Sequence, residues 1–284
     1  LDKAILELFQ KHINPFILSE LDYKIQNINS LANDTTVLPK ERASNALKKF
    51  SRLSDSEIVT PENVADRIIN ILPSNAVDNS KMFIDIAAKQ GEFVYAIYKK
   101  YGKDVANNFY SIPTSKIAYE FTRKVYSLLE LDISHIEEHY TSYDIIEENE
   151  FITEEEIKIN GNSMKFDAIV GNPPYQQSDG GAGVSAKPIY NQFVNIAKQL
   201  NPNYISMIMP TRWYAGGKNL GEFRNQMLND IHISELYDFI KPELIFSNIN
   251  LRGGICYFLW DKNYDNTKDF TNVFSYKNDL IPNI

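Results

Sequence analysis

The tetrapeptide Asn172-Pro173-Pro174-Tyr175 carries the residue types most suggestive of chemistry, and it follows an apolar run at 166–171 that is typical of a buried strand. The two prolines fix their own φ angles and push each preceding residue out of the helical region, so the turn is rigid. The Asn172 amide oxygen and the Pro173 carbonyl can then accept both hydrogens of an exocyclic amino group, and Tyr175 can stack on its ring. A stiff loop in which the asparagine merely caps is the alternative.

A second stretch of this kind runs from Asp85 to Phe93, where a short apolar segment ends and a helix begins. In doubly wound sheets, ligands bind where such loops leave the carboxyl ends of strands, and a glycine such as Gly91 lets the backbone approach the ligand closely. The stretch lacks the Gly-Lys-Ser/Thr ending of a phosphate loop. It therefore predicts either a ligand-binding loop or an ordinary strand-to-helix turn.

The elements that must position these two stretches alternate between strand and helix. Thr60, Pro61 and Glu62 are typical of a helix start, with Thr60 as the N-cap. This alternation is typical of a sheet covered on both faces, so the predicted fold class is α/β. The apolar periodicity predicts strands at about 81–88, 108–112, 133–137, 167–170 and 204–209, with helices at 93–101, 116–130, 189–200 and 220–228.

The two ends of the chain differ from this pattern. Strands at 233–239 and 254–260 leave no room for a crossover helix, which predicts a long antiparallel hairpin that closes the sheet. Residues 1–55 have helical periodicity, and we expect them to form a small helical region before a main domain at 56–284.

The composition indicates a globular protein without a membrane span. The 284 residues are 43% hydrophobic, and no apolar stretch approaches the ~20 residues of a span. The single cysteine, Cys256, excludes an internal disulfide and favours a reducing, cytoplasmic location. The four histidines lack metal-ligand spacing, so no metal is predicted. The net charge of −8, concentrated at 137–157, argues against nucleic-acid binding over the whole surface but leaves room for a local basic groove.

The motifs together resemble the S-adenosylmethionine-dependent DNA adenine-N6 methyltransferases of restriction-modification systems. Their order, with cofactor motifs before the catalytic one, is similar to the gamma class. The resemblance implies a Rossmann-like, doubly wound methyltransferase sheet of about seven strands with an antiparallel last strand. It rests on Thr60-Pro61, Asp85 to Phe93, Gly171 to Tyr175, Met209 to Trp213 and Gly253 to Trp260, the last of which resembles the terminal strand of bacterial type II enzymes that fuse methylation with restriction.

The resemblance also implies roles for individual residues. S-adenosylmethionine would be the cofactor, with Thr60-Pro61 over its methionine end and Asp144 facing its adenine amino group. The catalytic turn would receive an adenine flipped out of the duplex, through Asn172, Pro173, Pro174 and Tyr175. The implied cofactor-binding residues are Thr60, Pro61, Asp85, Ala87, Ala88, Lys89, Gly91, Phe93, Asp144 and Asn172.

Two positions depart from the family pattern. Lys89 stands where the pattern Asp-x-x-x-Gly-x-Gly has its first glycine, so its side chain either pairs with the cofactor's carboxylate or fills the space. Pro113 stands at the second strand end, where an Asp or Glu normally accepts hydrogen bonds from the ribose hydroxyls. Losing a charged bidentate acceptor costs about 1.5–3 kcal/mol. A degenerate domain that binds nucleic acid or a partner without using the cofactor is therefore one alternative.

DNA is the expected partner, and its contacts are predicted at Arg212, Trp213, Lys218 and Arg252 beside a flexible polar loop at 176–188. Taken singly, each of these residues is also typical of a solvated surface. The same tetrapeptide occurs in enzymes that methylate protein glutamines and in some RNA methyltransferases, which remain alternatives.

The chain is expected to be a fragment of a longer protein. It begins with Leu1, and too few residues follow Trp260 to form a separate target-recognition domain. We therefore expect target recognition, and any nuclease, to lie in residues outside this fragment or in another subunit.

Overall fold

The computed structural model of the chain describes residues 33–48, 58–177, 187–246 and 253–277, together with the single positions 23, 26 and 30. Most of the predicted helical region 1–55 lies outside these ranges, as do the centre of the predicted polar loop and Arg252.

The described elements alternate between helix and strand over most of the chain. The helices are α1 (Pro39–Leu47), α2 (Glu62–Asn70), α3 (Glu92–Tyr101), α4 (Lys103–Ala106), α5 (Lys116–Leu128), α6 (Asp144–Glu147), α7 (Tyr190–Gln199), α8 (Gly221–Leu228) and α9 (Asn266–Asp269). The strands are β1 (Phe83–Ala88), β2 (Phe109–Pro113), β3 (Ile152–Thr153), β4 (Glu156–Ile159), β5 (Asn162–Met164), β6 (Ala168–Gly171), β7 (Tyr204–Pro210), β8 (Ile233–Phe239), β9 (Ile255–Asp261) and β10 (Asn272–Tyr276).

A seven-stranded sheet lies at the centre, in the order β2-β1-β6-β7-β9-β8-β10. Strand β1 pairs in parallel with β2 and β6, and β6 pairs in parallel with β7. Strand β9 is antiparallel to both of its neighbours, β7 and β8. The predicted α/β class, the seven-stranded sheet and the antiparallel hairpin near its end are therefore confirmed.

The sheet separates two apolar cores, because successive side chains of a strand point to opposite faces. Phe83 of β1 belongs to the core shared with helices α2, α3 and α5, whereas the next residue, Ile84, belongs to the core shared with α7 and α8. All six residues of β1 are buried, as expected for a strand covered on both faces.

The third strand predicted at 133–137 is wrong in extent, because only a single parallel bridge joins Ile136 to Ser111. The Asp132 side chain accepts a hydrogen bond from the Ser134 backbone N–H and caps a short 3-10 turn instead. The seventh place in the sheet goes to β10, which pairs in parallel with β8 at the opposite edge. The acidic segment before β6 folds as a small antiparallel sheet, in the order β3-β4-β5.

The predicted start of α2 is corrected. Thr60 does not cap α2, because the helix begins at Glu62 with Pro61 at the N-cap and no side-chain cap. In α5, Val125 and Leu128 are buried, whereas Ile117 is 61% exposed. Helix α1 contributes Ala43 and Leu47 to the same core as α3 and α5. The domain boundary at residue 55 stays a prediction.

Candidate active site

The two chemically suggestive segments leave the sheet side by side. Strands β1 and β6 are parallel neighbours, with Asp85 in register with Val170. The donor loop, defined here as residues 85–93, and the acceptor turn, defined as residues 172–175, therefore emerge at the same carboxyl edge. This is the edge at which doubly wound sheets bind ligands.

The orientation of the buried Asn172 amide is fixed by its hydrogen bonds. Its Nδ2 donates to the Ile58 carbonyl at 3.0 Å and to the Thr60 hydroxyl at 3.2 Å. A carbonyl can only accept, so the nitrogen must lie on that side and Oδ1 on the other. Oδ1 is buried and meets no donor in the described structure. The turn thus presents a fixed acceptor without a partner.

The donor loop is held by Glu92, a residue to which the sequence assigned no role. Glu92 is buried; its Oε1 accepts from the Thr60 backbone N–H at 3.1 Å, and its Oε2 accepts from the Gln90 N–H at 2.9 Å. Because Thr60 also accepts from Asn172, a continuous chain of hydrogen bonds joins the donor loop to the acceptor turn. A glutamate in the first turn of a helix is usually interpreted as complementing the helix dipole, so the sequence carried no stronger signal.

Lys89 makes a second connection between the two segments. Its side chain is only 2% exposed, and its ammonium group donates to the main-chain carbonyl of Asn172. The amine of a residue that replaces the first glycine of the family pattern thus holds the backbone of the acceptor turn.

Asp85 is the most strongly perturbed carboxyl of the loop. Burial, with a smaller contribution from the negative charge of Glu92, raises the pKa of Asp85 to about 7. The Ala87 backbone N–H, which donates to Asp85 Oδ1 at 2.9 Å, and the charge of Lys89 oppose that rise in pKa.

Two glycines allow the donor loop and the strand before the acceptor turn to pack closely together. Gly91 has φ = +81°, a left-handed conformation that a side chain would strain, and it stands at the N-cap of α3. A Cβ on Gly171 would lie 3.3 Å from Asp85 Oδ1, so the strand end before Asn172 passes close to the buried carboxyl.

Tyr175 is buried in this structure, and its hydroxyl has no hydrogen-bond partner among the described residues. Burial raises the pKa of Tyr175 well above its ordinary value, so the phenol stays neutral.

The residues predicted to contact DNA differ in their placement. Arg212 and Lys218 are exposed after β7, whereas Arg252 lies outside the described residues. Trp213 is buried and packs edge-on against Tyr214 and Phe223, with ring centroids 4.6 and 6.0 Å apart. Its indole packs inside the protein and is not exposed for contact with DNA.

Asp144 lies at the first position of α6, in the segment that follows the end of β2. Its Oδ2 accepts from both the backbone N–H and the hydroxyl of Thr141, at 2.6 and 2.9 Å. Both bonds use one carboxylate oxygen. Pro113, the last residue of β2, is buried there.

No cluster of three or more His, Cys, Asp or Glu side chains suited to a metal ion occurs in the described part of the chain. Among the same residues, no helix is both long and apolar enough to cross a membrane.

Comparison with known proteins shows which methylases this chain is similar to. Residues 107–246 match the family model described as Eco57I restriction-modification methylase. A protein of Mycoplasma pneumoniae (strain ATCC 29342 / M129 / Subtype 1), described as an uncharacterized adenine-specific methylase, is 38% identical over 147 residues, which are 51% of this chain and 35% of that protein. Over about half of its length, the chain is similar to these restriction-modification methylases. The family resemblance is thereby confirmed.

Solved structures show that the chain has the methyltransferase fold. The type I restriction-modification methyltransferase subunit from Streptococcus thermophilus superimposes with a TM-score of 0.61 at 15% identity, over 84% of this chain and 51% of that one. A putative class I S-adenosylmethionine-dependent methyltransferase from Listeria monocytogenes gives 0.54 at 10% identity, over 87% of this chain and 74% of that one. The chain spans about a third of its curated relative and half of the S. thermophilus subunit.

Proposed function

We propose that this chain is the catalytic domain of a DNA adenine-N6 methyltransferase of a restriction-modification system. The observation that carries the proposal is the buried Oδ1 of Asn172, which is held in place by two hydrogen bonds on its amide nitrogen and has no donor of its own. A buried acceptor without a donor is costly unless a ligand supplies one. An exocyclic amino group is a donor of the right kind.

The acceptor turn makes the amino nitrogen a better nucleophile. Asn172 Oδ1 and the Pro173 carbonyl would accept its two hydrogens, while Pro174 stiffens the turn and Tyr175 offers an aromatic face to the ring. Accepting those bonds favours the lone pair that attacks the methyl carbon, as the nitrogen loses its conjugation with the ring. The rest of the rate enhancement would come from aligning the amino nitrogen with the methyl group, because both segments meet at one edge of the sheet.

The donor loop fits S-adenosylmethionine, which when bound supplies an activated methyl group on a sulfonium. The cofactor's amino-acid end carries an ammonium and a carboxylate, and the loop contains a buried carboxyl at Asp85 and a buried ammonium at Lys89. Asp144 retains Oδ1 as an acceptor for the adenine amino group, beyond the two bonds made by Oδ2. Thr60, Pro61, Ala87, Ala88, Gly91 and Phe93 would line the same pocket.

DNA would approach the same edge of the sheet, with Arg212 and Lys218 as the described surface cations nearest in sequence to that end of β7. The S. thermophilus structure is by its name a subunit of a type I system. We extend that feature to this chain: a further domain or subunit would select the target sequence and add to DNA affinity. The chain's own net charge of −8 supports that division of labour.

The test measures methyl transfer to three acceptors. The parent chain and the Asn172→Ala variant are incubated with radiolabelled S-adenosylmethionine and either unmethylated plasmid DNA, total RNA or a protein extract. Digestion of the DNA followed by mass spectrometry identifies the methylated base. We expect N6-methyladenine with the parent chain and none with the variant.

The other outcomes are equally informative. Label that enters RNA or glutamine side chains, but not DNA, replaces the proposed substrate with one of the two enzymatic alternatives. Label in no acceptor, together with no calorimetric binding of S-adenosylmethionine in the presence of DNA, identifies the chain as a non-catalytic domain of the same fold.

A further inference from the structure

Two buried hydroxyl groups flank Pro113 at the carboxyl end of β2. Thr114 is 2% exposed, and Ser142, in the segment before α6, is fully buried. Neither Thr114 Oγ1 nor Ser142 Oγ has a hydrogen-bond partner in the described structure. Buried polar side chains without partners are uncommon in folded proteins, so two beside one proline require an explanation.

Backbone hydrogen bonds fix where these hydroxyls lie. The Thr114 N–H donates to the Ala88 carbonyl at 3.0 Å, which joins Thr114 to the donor loop. The Ser142 N–H donates to the Pro113 carbonyl at 2.9 Å, and Ser142 is two residues before Asp144. Both residues therefore stand between the loop proposed for the methionine end of the cofactor and the acid proposed for its adenine.

The nearby carboxylates are already engaged with protein groups. Glu137 is buried, and its two oxygens accept from the backbone N–H groups of His139 and Asn160. Asp144 Oδ2 is bound by Thr141. Asp144 Oδ1 is reserved for the adenine amino group, and among the described residues the hydroxyls of Thr114 and Ser142 are the buried groups beside Pro113 that have no partner.

We propose that Thr114 and Ser142 bind the ribose hydroxyls of S-adenosylmethionine, in place of the acidic residue that Pro113 has displaced. A ribose diol presents two groups that each donate and accept a hydrogen bond, and so do the two side-chain hydroxyls. A proline cannot use a side chain for this purpose, but its carbonyl holds Ser142 in position. The inference rests on the proposed function for the identity of the cofactor.

The test uses calorimetry with S-adenosylhomocysteine, the demethylated product, and with an analogue that lacks both ribose hydroxyls. Thr114→Val and Ser142→Ala are each expected to weaken S-adenosylhomocysteine binding about three- to tenfold, which is the size of one neutral hydrogen bond. Neither change should alter the affinity for the analogue, because the analogue has no hydroxyl to lose.

Thr122→Val is the matched control. Thr122 is equally buried and, among the described residues, equally without a partner, but it belongs to α5 and not to the segments that flank Pro113. We expect it to leave both affinities unchanged. Thermal unfolding of each variant shows whether the fold is retained; a variant that unfolds is replaced by Thr114→Ser or Ser142→Thr, which should bind S-adenosylhomocysteine within about twofold of the parent chain.

Unchanged affinity for S-adenosylhomocysteine in both variants would overturn the inference, as would an equal loss for the two ligands. A parent chain that binds no S-adenosylhomocysteine also overturns it. The proposed function can fail separately. If the chain binds S-adenosylhomocysteine through these hydroxyls but does not methylate DNA, the ribose-binding inference stands and DNA is rejected as the substrate.

Discussion

The donor loop and the acceptor turn meet at one edge of the sheet, but they satisfy their polar groups in opposite ways. In the loop, the buried side chains of Asp85, Lys89 and Glu92 are all bonded to backbone groups of the protein. In the turn, Asn172 Oδ1 and the Tyr175 hydroxyl are buried and have no partner among the residues that the structure describes. The named side chains of the loop are bonded to the protein itself, whereas the turn keeps polar atoms that a ligand could bind.

The difference indicates how each segment should respond to substitution. Removing the Asn172 side chain takes away an acceptor that only a ligand would complete, so activity should fall far more than stability, which loses the two hydrogen bonds of Nδ2. Removing a group from the loop leaves a protein N–H or carbonyl without its partner, so stability should fall as well. The following variants test that contrast.

The largest effect is expected from Asn172→Ala. Loss of the acceptor should lower the rate of methyl transfer by about 100- to 1000-fold, the usual cost of removing one preorganised group that stabilises the transition state. Single-turnover transfer to DNA measures it. Asn203→Ala is the control, since Asn203 lies at the opposite end of the sheet and bonds Asp167. Transfer at the parent rate would remove Asn172 from the mechanism.

Glu92→Ala should act mainly on stability. It leaves the backbone N–H groups of Thr60 and Gln90 without their acceptor, which costs about 1–3 kcal/mol for each buried group. Urea unfolding gives the difference in the free energy of unfolding. Glu222→Ala, at an exposed position in the first turn of α8, should change it by less than about 0.5 kcal/mol. Equal effects of the two substitutions would contradict the assigned role of Glu92.

Lys89→Met should lower the transfer rate about tenfold, because the Asn172 carbonyl loses a buried charged donor. If Lys89 only tethers the turn, cofactor affinity stays at the parent value; if it pairs with the cofactor's carboxylate, affinity falls instead. Calorimetry and single-turnover kinetics on the same variant separate the two roles. The exposed Lys116→Met is the control for loss of one charge.

The smallest effect is a change in pH dependence with Asp85→Asn. The folded pKa of Asp85, about 7, lies above its ordinary value of 3.8, so the folded chain keeps a proton that the unfolded chain releases. This stabilising contribution is complete below about pH 4 and is lost as pH rises through 7. The variant should therefore lose less stability than the parent between pH 5 and 8 in urea unfolding. Asp269→Asn, exposed in α9, should follow the parent profile, and a parallel slope in both variants would count against the buried acid.

Much of this fold could be predicted because the sheet is buried on both faces. Segments such as 83–88 and 204–210 are mostly apolar and fully buried, so their positions as strands could be predicted from the sequence. The third strand could not be predicted correctly, because a local hydrogen bond from the Ser134 backbone N–H to the Asp132 carboxylate competes with the strand pairing at that edge. Strand β10 is mostly exposed, and its sequence carries no matching burial pattern.

The site could be predicted less completely than the fold. The rigid turn at Asn172 and the loop at Asp85 were evident from residue types, but their connections depend on contacts between distant segments. Thr60 illustrates the limit: its hydroxyl suits an N-cap, and only the folded chain shows that it faces Asn172 instead. The same holds for Lys89, whose partner lies 83 positions away.

The hydrogen bonds from Asn172 to Thr60 and from Lys89 to Asn172 have a thermodynamic consequence. Because they fasten the two halves of the site together, a ligand that changes the position of one half changes the affinity of the other. Such coupling is reciprocal by necessity. If a bound cofactor raises the affinity for an extruded base by some factor, the bound base raises the affinity for the cofactor by the same factor.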